Sequence, residues 1–197
     1  MTKEALKAHC LQLIEDNKAA IIDIGQEIFA HPELGFKEHN TAALVRSTFE
    51  RLGIPYRDKL AITGVRGDLK GRSDGPRVMV MGELDAVVCP LHPQADRTTG
   101  AAHSCGHNAQ IASMLGAAMG LAPLADQLDG NVAFVAVPAE EYVELEYRER
   151  LRQEGQIRFF GGKQEYLRLG VLDDIDMGMM IHSHAGVRDR HFLINCD

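Results

Sequence analysis

The chain has no run of 18 apolar residues, so no membrane span is expected. It has no excess of positive charge either. Its 21 Lys and Arg stand against 28 Asp and Glu, a net charge of −7. That balance argues against broad binding to nucleic acid or to an anionic membrane, while leaving room for a local basic patch. There is no Cys-x-x-Cys pair. Cys10, Cys89, Cys105 and Cys196 are far apart and read as reduced thiols, not as a disulfide framework. Met1-Thr2-Lys3-Glu4 opens a mixed polar helix in place of an apolar export signal, so a cytoplasmic location is the expectation. The chain shows no internal repeat and no low-complexity linker. Gly161-Gly162 marks a turn without the spacing of a phosphate-binding loop.

What is present is an ordinary globular composition. The 197 residues are 45% hydrophobic and 25% charged, enough for a real core in one domain or slightly more. Apolar residues at three- and four-residue steps (Leu6, Cys10, Leu13, Ile14, Ile21, Ile24, Ile28) predict one long helix from Lys3 to Ala30, stopped by Pro32. A second helix is expected from about Lys37 to Leu52, with Gly53 as its stop. Strands are expected at Thr63–Leu69, Arg77–Met81, Asn131–Val137 and Asp176–Ile181. Helices are expected at Ala109–Leu121, Val143–Gln153 and around Lys163–Leu169. Strands alternating with helices predict an α/β architecture with a largely parallel sheet.

In such sheets, sites form beyond the carboxyl ends of the strands. Asp85, the pair Glu140-Glu141, and His182 each follow a strand-like run. Cys105-Gly106-His107 precedes a helix, which brings it to the same rim if it lies in a strand-to-helix loop. Thiolate and imidazole are the usual ligands of zinc-like ions, and the positive end of a helix favours the thiolate. Residues two apart do not share a helix face, so Cys105 and His107 both ligate only if the helix starts at or after them. Of two adjacent carboxylates at a strand end, one can bind a metal and the other can accept a proton from water. The plain alternatives are a glycine turn, a solvated acidic pair and uncommitted histidines. Asp85 reads equally as an orienting group or an ordinary strand-end carboxylate. His182 ranks above His184, His31 is a helix stop, and His92 and His103 are loop histidines. The charges of Glu144–Glu154 read as a solvated helix face. Cys105 as a nucleophile with His107 as its base is a further reading, awkward for neighbours two apart.

These residues carry a resemblance. His31-Pro32-Glu33-Leu34-Gly35-Phe36, Gly82-Glu83-Leu84-Asp85-Ala86, His103-Ser104-Cys105-Gly106-His107-Asn108, Pro138-Ala139-Glu140-Glu141 and Asp176 through His182 stand in the order of the zinc-dependent aminoacylase and carboxypeptidase metallopeptidase family. The chain most resembles the amidohydrolases that cleave N-acyl amino acids, such as indole-acetyl-amino-acid and aminobenzoyl-glutamate hydrolases. The resemblance implies a three-layer α/β/α catalytic domain and a centre of two divalent ions, zinc or manganese. It implies Cys105, His107, Glu141 and His182 as ligands, Glu140 as general base and acid, and Asp85 as a carboxylate near the metals. The implied substrate is a small N-acyl amino acid or peptide. Asn108 stands where much of the branch has aspartate. Residues 1–187 match the N-terminal part of the catalytic domain, and 188–197 would begin a lid and dimerisation insertion or form a tail. The family's late histidine ligand has no match here. A chain that binds metal, a second copy, or the C-terminal half without turnover is therefore the alternative expectation.

Overall fold

The fold is that of a computed structural model, which describes residues 1–183. The expectations for His184, Cys196 and the 188–197 segment lie outside the described residues. The chain begins with helices α1 (Lys3–Asp16), α2 (Lys18–Ala30) and α3 (His39–Leu52). Strands β1 (Tyr56–Leu60), β2 (Gly64–Leu69) and β3 (Arg77–Glu83) follow. A small ribbon, β4 (Val87–Val88) with β5 (Ala101–Ala102), leads to α4 (His107–Leu121) and a 3-10 turn at Ala122–Gln127. The rest is β6 (Asn131–Val137), α5 (Leu145–Gln153), α6 (Gly162–Arg168) and β7 (Met177–Met180).

The five long strands form one sheet in the order β1-β2-β6-β3-β7. β3 runs parallel to both β6 and β7, while β2 is antiparallel to β1 and β6. The expected mixed, largely parallel α/β sheet is the one observed. β6 shows how one strand feeds two layers. Its side chains alternate in direction, so Phe134 and Ala136 join the core under α2, α3 and α4, with Ile24, Ile28, Val45, Phe49, Ile111 and Leu115. Ala133, Val135 and Val137 join a second core with Phe36, Leu151, Ile157 and Tyr166 on the opposite face. Helices therefore cover both faces of the sheet.

Three expectations are corrected. The helix drawn from Lys3 to Ala30 is two helices, broken at Asn17. The Asn17 backbone and side-chain amides both donate to the Leu13 carbonyl, which closes α1 before α2 begins. This is the local competition that makes asparagine a poor interior residue. The second helix starts at His39 and not Lys37, because the Glu33 carboxylate accepts from the backbone amides of Asn40 and Thr41 and fixes its first turn. β1 was not expected. Its half-exposed Tyr-Arg-Asp-Lys-Leu sequence carries little apolar signal, and pairing with β2 makes it a strand.

Glu38 ties the two ends of the fold together. It is fully buried before α3 and accepts from the Ala139 amide at 2.7 Å and the Thr63 hydroxyl at 2.5 Å. Burial first, and then the charge of Asp85, push its carboxyl from 4.5 up to about 7, against the pull of those hydrogen bonds.

Two outcomes follow from this packing. Between pH 4.5 and 7 the folded state holds a Glu38 proton that the unfolded chain has released, so stability falls as pH rises through that window. Urea unfolding as a function of pH should show a loss on the order of 3 kcal/mol across it, and Glu38→Gln should flatten the slope. Phe134, fully buried and 6.2 Å from the Phe49 ring centroid, fills the larger core. Phe134→Ala should cost about 3–5 kcal/mol in the same measurement.

Candidate metal centre

The site lies where the carboxyl ends of β3, β6 and β7 meet the start of α4. Glu83, the last residue of β3, pairs in register with Val137, the last of β6. The chain then turns through Pro138-Ala139-Glu140-Glu141. His107 is the first residue of α4, and Gly106 before it adopts a left-handed φ of 91°. A Cβ at Gly106 would collide with the Ser183 hydroxyl, so glycine is needed for this turn to close against the segment after β7. The helix starts after Cys105 and at His107, which meets the condition for both side chains to face the same site.

The sulfur of Cys105 and one ring nitrogen each of His107 and His182 come together within 4.8 Å of one another. Cys105 Sγ lies 3.5 Å from His182 Nε2. A second group, Glu83, His107 and Glu140, is equally close and shares the same imidazole. Glu140 and Glu141 each bring a carboxylate oxygen to 3.9 Å from His107 Nε2. They converge and do not diverge as strand neighbours would, because they lie in the turn beyond β6. All six residues singled out in the sequence (Asp85, Cys105, His107, Glu140, Glu141 and His182) thus gather at one rim.

The imidazole of His107 is oriented from behind. Its Nδ1 lies 2.8 Å from the Asp85 carbonyl and 3.5 Å from the Asp85 carboxylate, an arrangement that leaves Nε2 facing the other donors. Asp85 is fully buried, and its other carboxylate oxygen accepts from the Glu141 amide at 2.9 Å. It holds two candidate ligands and does not itself face the open site. His107 Nε2 and both oxygens of Glu83 are buried and make no hydrogen bond. A buried imidazole nitrogen whose close polar neighbours are carboxylates, beside a thiol and a second imidazole, suits a divalent cation.

Electrostatics couple the group. Burial pulls the His107 pKa down, but Asp85 and Glu83 outweigh it and push it up to about 11. Burial raises the Glu83 carboxyl, yet His107 and Lys163 bring it down to about 2. Burial and the charge of Glu83 raise Glu140 above the ordinary carboxylate range. Cys105 departs from expectation. Burial, then its hydrogen bond with Glu141, push the thiol up where the helix end was expected to favour thiolate. This environment does not activate Cys105 as a free nucleophile. His103 is buried too, and burial, then the charge of His107, lower it to about 4. It lies outside both donor groups.

Three further side chains take part that the sequence pattern does not single out. Glu83 stands in the Gly82–Ala86 segment but beyond the strand expected to end at Met81, and its place as the last residue of β3 is the signal that finds it. Lys163 reaches in from α6, its ammonium in contact with Glu83 and 3.6 Å from Glu140. Arg148 corrects the reading of Glu144–Glu154 as a wholly solvated face. Its side chain is fully buried and donates to the carbonyls of Phe160 at 2.6 Å, Ala139 at 3.4 Å, and Glu141. With the Glu38 bond to the Ala139 amide, Arg148 fixes a turn in which Ala139 takes a φ of 51°. Among the described residues no helix is long and apolar enough to cross a membrane.

Comparison with known proteins gives the same picture. Residues 79–186 match the model of the peptidase family M20/M25/M40. The chain is 29% identical over 187 residues to an N-acyl-L-amino acid amidohydrolase of Geobacillus stearothermophilus, covering 92% of this chain and 45% of that one. It is 34% identical over 143 residues to the IAA-amino acid hydrolase ILR1-like 2 of Arabidopsis thaliana, covering 70% of this chain and 31% of the relative. A solved Bacillus subtilis structure, described as a dinuclear metal binding peptidase of the M20 family, superimposes with a TM-score of 0.67 at 30% identity, over 84% of this chain and 44% of that one. The chain spans less than half the length of these relatives. With the matched segment running from the middle of β3 through the donor-bearing turns, the chain belongs to the peptidase family M20/M25/M40.

Proposed function

We propose that this chain is the metal-binding part of an amidohydrolase that cleaves the amide bond of small N-acyl amino acids or peptides. The observation that carries the reading is the gathering of Cys105, His107, Glu140, Glu141 and His182 around one buried imidazole. The substrate class rests on the relatives, among them an N-acyl-L-amino acid amidohydrolase and an IAA-amino acid hydrolase. Cys105, His107, Glu141 and His182 would hold divalent cations, zinc or manganese, two in a complete site. Bound there, such an ion supplies an activated water at neutral pH and polarises the amide carbonyl.

The residues of the chain divide the remaining work. Glu140 is one-third exposed at the mouth of the site, and its raised pKa suits a group that takes a proton and gives it back. It would accept the proton of the attacking water and deliver it to the nitrogen of the leaving amine. Asp85 acts through others, fixing the tautomer of His107 and the backbone of Glu141. Arg148 and Glu38 keep the Glu140-Glu141 turn in place.

A second reading is a chain that binds metal or a partner without turnover. One observation favours it: edge strand β7 and the residue after it expose Met177, Met179, Met180 and Ile181 at 41–59%. An apolar edge strand of this kind is a template for pairing with another chain, a second copy or a C-terminal half.

Hydrolysis of N-acetyl amino acids by the Mn²⁺- or Zn²⁺-loaded chain separates the readings. The hydrolase reading expects turnover that chelation abolishes and Glu140→Gln lowers by about 10²–10⁴-fold with metal content unchanged. Metal uptake without turnover, with hydrolysis appearing only when a C-terminal half is added, would instead establish the second.

A further inference from the structure

Lys163 is the unexpected member of the site. A lysine beside two carboxylates is common on a surface, but here one of the carboxylates belongs to Glu83, which is 1% exposed at the end of a central strand. The Lys163 ammonium touches one Glu83 oxygen, while the other lies 3.0 Å from His107 Nε2 without hydrogen-bond geometry. The same ammonium is 3.6 Å from Glu140. Glu83, His107 and Glu140 place their donor atoms within 4.8 Å of one another, the size of a cation site.

The His107 imidazole also belongs to the Cys105–His182 group. Its Nδ1 faces the Asp85 carbonyl, so the single lone pair left on Nε2 serves one ion only. An ion bound by Cys105, His107 and His182 leaves Glu83 and Glu140 as a bare pair of carboxylates, which would attract a second cation. Capture of Glu140 in that way would remove the proposed base from proton transfer.

We propose that the Lys163 ammonium is the resident cation of the Glu83–Glu140 pair, excluding a divalent ion from it and keeping Glu140 free. Lysine suits this role because its flexible stem brings a compact positive charge between two carboxylates while its three donors rotate to meet them. The proposal rests on the metal-binding reading above, and the test separates the two.

The chain, stripped of metal by chelation, is titrated with Mn²⁺, and bound ions are counted by calorimetry and by elemental analysis after desalting. Lys163→Met should bind one more Mn²⁺ per chain than the wild type, and Lys163→Arg should bind the wild-type number. Glu83→Gln in the wild-type background should lose no ion, because that pair holds none when lysine fills it. An unchanged count in a folded Lys163→Met protein overturns the proposal. So does loss of one ion in Glu83→Gln, which decides the matter even if Lys163→Met does not fold. A wild type that binds no Mn²⁺ or Zn²⁺, beside a Lys163→Met protein that binds one Mn²⁺, would sink the metal reading of Cys105, His107 and His182 while supporting this one.

Discussion

Mutual repulsion among carboxylates around one buried imidazole is the constraint on which the site depends. Glu83, Glu140 and Glu141 all approach His107 Nε2 within 4 Å. Glu83 and Glu140 also place carboxylate oxygens within 4.8 Å of each other, and two like charges so close repel by roughly 3–4 kcal/mol at an effective dielectric of about 20. The structure tolerates the crowding only because positive charge is built in beside it. Without a metal, the imidazolium of His107 and the ammonium of Lys163 supply that charge. The arrangement is therefore poised for cations, and replacing protons by metal is the natural way to relieve it.

The fold generates this crowding through the direction of three strands. β3, β6 and β7 run parallel, so their carboxyl ends reach the same edge, and α4 starts there with its Cys-Gly-His turn. A strand ending in Glu83, a turn carrying Glu140 and Glu141, and the segment after β7 carrying His182 then meet without further design. Precision comes from buried polar groups one layer back. Asp85 spans His107 and the Glu141 amide, Glu38 holds the Ala139 amide, and Arg148 gathers three carbonyls. Each of these charges is costly to bury, and each does its work by fixing a backbone that would otherwise carry the two carboxylates loosely.

Much of this was legible in the sequence. Apolar runs followed by acidic or imidazole residues marked the strand ends, because a half-buried strand must surrender its hydrophobic pattern where it leaves the core. Glycine between Cys105 and His107 marked the turn. Other features are not local properties of a sequence. Asn17 breaks a helix whose periodicity runs through it. β1 exists because β2 pairs with it. Arg148 looks like one more charge on a charged helix, and only the packing of α5 against the β6 turn shows that it is buried. Lys163 is likewise recognisable only once α6 is placed over the end of β3.

The central claim is that sulfur from Cys105 and nitrogen from His107 and His182 share one cation. Cobalt(II) reports this directly, since a thiolate bound to it gives an intense near-ultraviolet charge-transfer band. The account predicts that band in the Co²⁺-loaded chain, lost in Cys105→Ser while the protein stays folded and shifted in His182→Ala. A cobalt-loaded chain without the band, or one whose spectrum is indifferent to Cys105→Ser, would contradict it.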